Sequence, residues 1–188
     1  MLDRRIELVA RQGTRLTRLI HDLLDVSRID SGTLVLERAD VDLGALVREV
    51  AERFEADLAG ARCSVSIQTG APALGRWDRS CLDRVVTNLL SNAIKFGTGK
   101  PIVIAVGAER GTARLVVRDH GIGIAPEQRD RIFGRFERAV SERHYGGLGL
   151  GLYISRRIVE EHGGSIRCES RPGAGAAFIV ELPCAEPA

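Results

Sequence analysis

Two carboxamides and an ammonium fall at i, i+4 and i+7 of a stretch with helical periodicity: Asn88, Asn92 and Lys95. On a 3.6-residue repeat the three share one face. Carboxamide oxygens are acceptable ligands for a hard cation such as Mg²⁺, and a lysine can neutralise a phosphate. Taken alone, the spacing is better explained by a solvated polar stripe opposite Leu89, Leu90 and Ala93. Further along, Asp119 ends an apolar run, and Gly121, Ile122, Gly123 and Ile124 follow close behind. A carboxylate just past a strand can accept a hydrogen bond from an exocyclic amine, and glycine lets a flat ring approach the backbone. Gly147, Leu148, Gly149, Leu150, Gly151 and Leu152 precede a helical stretch ending at His162. Their amides therefore stand at a helix amino terminus, where an anion is favoured. The glycines let N–H groups curl around phosphates while the leucines pin the loop to the core. Phe133 and Phe136 are spaced as packing anchors or as the tether of a lid, and the guanidinium of Arg138 suits a terminal phosphate.

Positioning these groups needs a framework, and the apolar pattern supplies one. Ile6, Val9, Leu16, Ile20 and Leu23 follow a heptad seam, with Gly13 at its remaining position, so residues 2–29 read as one helix. Leu19, Leu24 and Val26 widen that stripe, which suits a bundle, and Asp30, Ser31 and Gly32 stop the helix. This amino-terminal amphipathic helix is expected to project as an arm. A strand over Thr33 to Glu37 is expected next, then a helix from an Asp42 cap to about Ala59 and a strand from Cys63 to Thr69. A helix from Ser80 to Phe96 follows, then strands from Ile102 to Ala108 and Ala113 to Arg118. A short helix near Pro126, a polar stretch over Arg135 to Gly147, a helix from Gly149 to His162, and strands Ser165 to Ser170 and Ala176 to Leu182 complete the chain. The fold class is α+β, a two-layer α/β sandwich with helices covering one sheet face.

Composition excludes some roles. The 27 basic residues nearly balance the 25 acidic ones, which argues against a nucleic-acid footprint. No apolar run approaches the ~20 residues needed to span a bilayer. Cys63, Cys81, Cys168 and Cys184 are scattered without metal-ligand spacing, as expected of plain thiols in a reducing cytoplasm.

In order and spacing, the segments around Asn88–Phe96, Asp119–Ile124, Phe133–Phe136 and Gly147–Leu152, followed by His162–Gly164, resemble the catalytic and ATP-binding domain of bacterial sensor histidine kinases. That domain belongs to the gyrase, Hsp90, histidine kinase and MutL superfamily. The resemblance implies a Bergerat-type ATP-binding domain over residues 33–188. Residues 1–32, through Arg18, His21, Asp25, Arg28 and Gly32, resemble the second helix of a dimerisation and phosphotransfer domain. Carried over position by position, Asn92 with its neighbour Asn88 would hold Mg²⁺. Lys95 would contact phosphate, Phe96 would lie beside the nucleotide, and Asp119 would read adenine. Gly121, Gly123 and Ile124 would support the ring, Gly147 to Leu152 would close on the triphosphate, and Arg138 would face its γ-phosphate.

The sequence departs from the family at the phosphoacceptor. The family's histidine is followed by Glu or Asp, a polar pair and proline; His21 is followed by Asp22 and no proline, so no phosphoacceptor is assigned. His120 replaces the Asn often found after the adenine-reading Asp. His120, His144 and His162 are expected as local contacts in or near the ATP site. The function implied is donation of the ATP γ-phosphoryl group to a histidine on a helix of the same or a partner chain. The implied partners are that helix, a response regulator and, in the intact protein, a second copy in a homodimer. No nucleic acid is implied, and a membrane only through segments outside this sequence. A nucleotide-dependent protein-interaction module of the same fold is the alternative, and a protein-serine kinase of the same superfamily a third possibility.

Overall fold

The computed structural model describes residues 13, 19–20, 23–32, 34–137 and 148–184. The chain divides into two compact units, residues 1–35 and 36–188. In the first, residues 23–30 are helical. The expected stop is built: the Ser31 N–H and hydroxyl both donate to the Ser27 carbonyl, at 3.1 and 2.9 Å, and Gly32 turns at φ 64°. Ile20, Leu23 and Leu24 are each half exposed, while Ile6, Val9 and Leu16 of the seam lie outside the described residues.

The second unit holds a five-stranded sheet in the order β2-β4-β5-β7-β6, with β2 Val65–Thr69, β4 Ile102–Glu109, β5 Thr112–Arg118, β6 Ser165–Ser170 and β7 Ala176–Pro183. The β2–β4 pair is parallel and the others are antiparallel. On β4 and β5 the alternation is clean: Ile102, Ile104, Val106, Leu115 and Val117 are buried, while Arg114 and Arg118 face solvent. Against the buried face pack α1 Leu43–Arg53, α3 Arg79–Phe96 and α4 Gly151–Glu161. This is the expected two-layer arrangement.

Three details differ from the sequence pattern. The first strand is β1 Arg38–Asp42 instead of Thr33 to Glu37, and it pairs antiparallel with a strand that alternation does not reveal, β3 Leu74–Asp78. In β3 the inward positions are Gly75 and Trp77, and a side chain at Gly75 would collide with the Trp77 ring. The indole N–H then donates to the Pro183 carbonyl at 3.0 Å, tying this small sheet to β7. The helix expected from Asp42 to Ala59 breaks at Phe54 (φ −96°, ψ 6°) into α1 and α2 Glu55–Gly60, after which Leu58 is buried. Asp42 caps α1 as expected, accepting N–H bonds from Gly44 and Ala45.

Candidate functional site

Helix α3 starts on Asp78, whose carboxylate accepts from the Cys81 N–H at 3.0 Å, the Ser80 hydroxyl at 2.7 Å and the Glu37 N–H at 2.9 Å. Burial pushes this carboxyl up, yet the three donors outweigh it and hold the group below its ordinary value. The apolar side of α3 is sealed by Leu82, Val85, Val86, Leu89, Leu90 and Ala93. Its polar face is not uniform. Asn88 is buried and gives its amide N–H to Ser155 Oγ of α4 at 3.0 Å. Asn92 and Lys95 are half-buried, and the Lys95 ammonium lies 4.9 Å from the centroid of the Phe96 ring.

Past the end of β5, Asp119 is 5% exposed. Its Oδ1 accepts from the Gly121 N–H at 2.8 Å and from the Ala176 N–H at 3.3 Å, and its own N–H donates to the Ala176 carbonyl at 2.9 Å. Oδ2 has no hydrogen-bond partner among the described residues. Burial lifts this carboxyl above its ordinary value, and the two N–H donors and nearby His120 only partly offset it. The glycines beside it serve the protein backbone first. A Cβ on Gly121 would strike the Phe96 carbonyl, and one on Gly123, at φ 71°, would strike Arg171. The Ile124 N–H donates to Ser170 Oγ at 2.8 Å, and that hydroxyl donates to the Gly175 carbonyl at 2.6 Å. The loop is thus held between the end of α3 and the β6–β7 turn. His120 is exposed, its Nδ1 2.9 Å from the Pro101 carbonyl.

The aromatic pair divides its work. Phe133 is buried edge-on against Phe178 (centroids 6.3 Å apart, 82° between planes), whereas Phe136 is 60% exposed at φ 58°. Arg135 stacks on Tyr153 of α4 and donates to its hydroxyl at 3.1 Å, and Glu137 pairs with Arg131 at 3.2 Å. The two residues flanking Phe136 are therefore anchored. Of the Gly-Leu run, Leu150 is buried, Leu148 is 37% exposed, and Leu152 and Gly151 are half-buried. Gly149, at φ 72°, lies against the Phe136 and Glu137 backbone. Helix α4 begins at Gly151, and among the described residues no side chain caps its first amides. Arg138, His144, Gly147 and His21 lie outside the described residues.

One expectation fails. His162 is at the opposite end of α4 from Gly151, about 16 Å away at 1.5 Å per helical residue, and is no neighbour of this site. It is 2% exposed, accepts the Asp78 N–H on Nε2 at 2.9 Å and bonds the Ile158 carbonyl through Nδ1 at 2.7 Å. Those partners fix the neutral tautomer with the proton on Nδ1. Sequence reasoning also missed Ser155 and Ser170. Ser155 had a signal, a hydroxyl on the otherwise apolar buried side of α4 formed with Ile154, Ile158 and Val159. Two thiols are held protonated: burial and nearby Asp119 push Cys168 up to about 12, and burial beside Asp78 does the same to Cys81.

A family model described as histidine kinase-, DNA gyrase B-, and HSP90-like ATPase matches residues 77–186. The sensor histidine kinase RppB of Synechocystis sp. is 37% identical over 182 residues, which cover 95% of this chain and 40% of RppB. Among solved structures, full-length ShkA in complex with AMPPNP matches with a TM-score of 0.84 at 30% identity, over 95% of this chain and 38% of that one. The catalytic domain of the histidine kinase ThkA, in a nucleotide-free form, matches at 0.70 and 31% identity over 78% of this chain and 95% of that one. The chain thus spans about two fifths of the length of RppB.

Proposed function

The chain belongs to the histidine kinase-, DNA gyrase B-, and HSP90-like ATPase family, and on that premise we propose that it is the ATP-binding kinase core of a two-component sensor histidine kinase. One observation carries the reading: a buried carboxylate, Asp119, spends one oxygen on two backbone N–H groups, and its other oxygen has no hydrogen-bond partner among the described residues. An acceptor so placed is open to a donor from outside the chain, and the exocyclic amine of adenine is one. Phe96 then lies beside the base, Gly121, Gly123 and Ile124 form the wall that holds Asp119, and Lys95 meets the phosphates. The uncapped first turn of α4, with the run Gly147 to Leu152 leading into it, receives phosphate oxygens. Arg138 is assigned to the γ-phosphate.

Mg²⁺ fits the donor set. Asn92 offers a half-buried carboxamide oxygen one turn from Lys95, a ligand type that a hard cation accepts while keeping water and phosphate oxygens in its shell. Asn92 would hold the ion, with Asn88 its neighbour on the same face, and the ion when bound neutralises charge on the phosphate chain. In the transfer, an imidazole nitrogen of the acceptor forms a bond to the γ-phosphorus. The bond to the β–γ bridging oxygen breaks, and ADP leaves with that electron pair. The protein's share is placement and charge neutralisation by Lys95, Arg138 and the α4 amides.

The acceptor histidine belongs to a helix outside this sequence, on the same or a partner chain. Residues 1–32 are read as the second helix of the dimerisation and phosphotransfer domain, with a homodimer in the intact protein and a response regulator downstream. Among the described residues no helix is long and apolar enough to cross a membrane. The histidine kinase reading puts the core on the cytoplasmic side of a sensor. Calorimetry with ATP and Mg²⁺ tests the reading. The chain should bind, and Asp119→Asn, which keeps Oδ1 but turns a donor toward the amine, should weaken binding at least about tenfold, the scale of an unmatched buried polar contact. Label from γ-phosphate should reach histidine only when a helix bearing His-Glu/Asp-x-x-Pro is supplied. Labelling of His21 in the chain alone would overturn this account, and binding without transfer in the restored protein would favour the interaction-module reading.

A further inference from the structure

The two helices that carry the candidate site meet at a polar point. Asn88 is 7% exposed and Ser155 1%, and the Asn88 amide nitrogen donates to Ser155 Oγ at 3.0 Å. Ser155 follows Gly151 by four residues, so the two share a face of α4. Gly151 approaches the same carboxamide, and any side chain there would collide with Asn88 Oδ1. Both ends of the Asn88 amide are therefore packed on the first turns of α4. Asn92, one turn along α3, is half-buried.

A buried amide and hydroxyl tolerate few alternative partners, because an unpaired polar group in a dry contact is costly. Their bond fixes the slide and rotation of α4 on α3. What that register controls is plain from the elements: α3 bears Asn92 and Lys95, and α4 presents first-turn amides that no described side chain caps. We propose that Asn88 and Ser155 form a positioning pair, setting the first turn of α4 against the Asn92 and Lys95 face so that both reach one phosphate chain, and that Asn88 acts through this register and not as a metal ligand. The inference rests on the ATP reading above and deepens it.

ATP and adenosine affinities of wild type, Asn88→Ala, Ser155→Ala and the double variant, each measured by calorimetry in Mg²⁺ and in EDTA, decide the matter. Each single variant should weaken ATP about tenfold, the consequence of one orphaned buried partner. The factor should be equal with and without Mg²⁺, the double variant should be no weaker than the worse single, and adenosine should change less than about twofold. A loss for Asn88→Ala confined to Mg²⁺, with Ser155→Ala near wild type, would make Asn88 a ligand and overturn the proposal. Equal losses for ATP and adenosine would reduce the pair to general packing. Ser155→Ala removes only a hydroxyl and carries the test if Asn88→Ala does not fold. If wild type binds no ATP, the ATP reading itself falls; additive Tm losses in the four proteins would then also sink the coupling.

Discussion

At Asp119 the protein buries a carboxylate that meets the described residues through Oδ1 alone, and the energetic sign of that choice can be followed with pH. Its folded-state pKa is raised above the ordinary 3.8, chiefly by burial. A raised carboxylate adds stability below the unfolded pKa, and that contribution is lost as pH rises through the folded value. At pH 7 the charged group therefore opposes folding of the free chain. Asp119→Asn should melt above wild type in the absence of nucleotide, by differential scanning calorimetry at pH 7, even as it loses ATP. The complementary sign holds for binding, since the amine needs the charged acceptor. ATP affinity should fall on acidification at a pH above 3.8, and Asp119→Asn should show no such fall. The sequence made Asp119 legible as an acceptor at a strand end, but the reason for its glycines was hidden. Spacing suggested room for a flat ring; contacts with Phe96 and Arg171 show that chain crossings already fill the places where Cβ atoms would stand.

Among the elements, α3 and α4 are joined by polar bonds near both ends of α4: Asn88 with Ser155 near its start, and His162 with Asp78 at its finish. The second junction is acid-sensitive. His162 is held neutral, its pKa lowered first by burial and also by Arg38, with the Ile158 carbonyl, Asp78 and Glu161 pulling the other way. A lowered histidine contributes stability that is complete above its unfolded pKa of 6.5 and is lost as pH falls toward the folded value. Protonated Nε2 would also turn a donor toward the Asp78 N–H. His162→Gln, which can still accept that N–H but loses the bond to Ile158, should cost about 1 kcal/mol at pH 7.5. The gap to wild type should narrow by pH 5.5 in urea unfolding; a constant gap would remove His162 as the acid-sensitive group. The pattern that named α3, α4, β4, β5, β6 and β7 was apolar periodicity, and it worked where one face is regularly more buried than the other, even in β6, whose Ile166 and Cys168 are only half-buried. It failed for β1 and β3, where Val41, Gly75 and Trp77 do the burying and no run of alternating residues exists. Motif order groups His162 with the nucleotide segments, whereas the helix read from Gly149 to His162 already sets it a helix length from the Gly-Leu run.

For the whole molecule, residues 36–188 enclose the main sheet, its helices and every described candidate ATP-site residue. Produced without residues 1–35, they should fold on their own, unfold in one cooperative transition and bind ATP within about twofold of the full chain. Two transitions in calorimetry, or a lost site, would show that the division is not an energetic one. At this scale the order of the motifs in the sequence was the strongest guide, since it fixed the family pattern that residues 77–186 match. What that order could not reveal is which distant segments close the site. Asp119 exchanges hydrogen bonds with Ala176, and β7, though it follows β6 in the chain, lies inside the sheet between β5 and β6. On a ribosome, then, every residue assigned to the nucleotide emerges before the strand that orients the adenine reader. A nascent chain halted at β6 would have those residues without the Ala176 backbone that Asp119 bonds to, so nucleotide can report that β7 has joined the sheet but cannot template the strands before it.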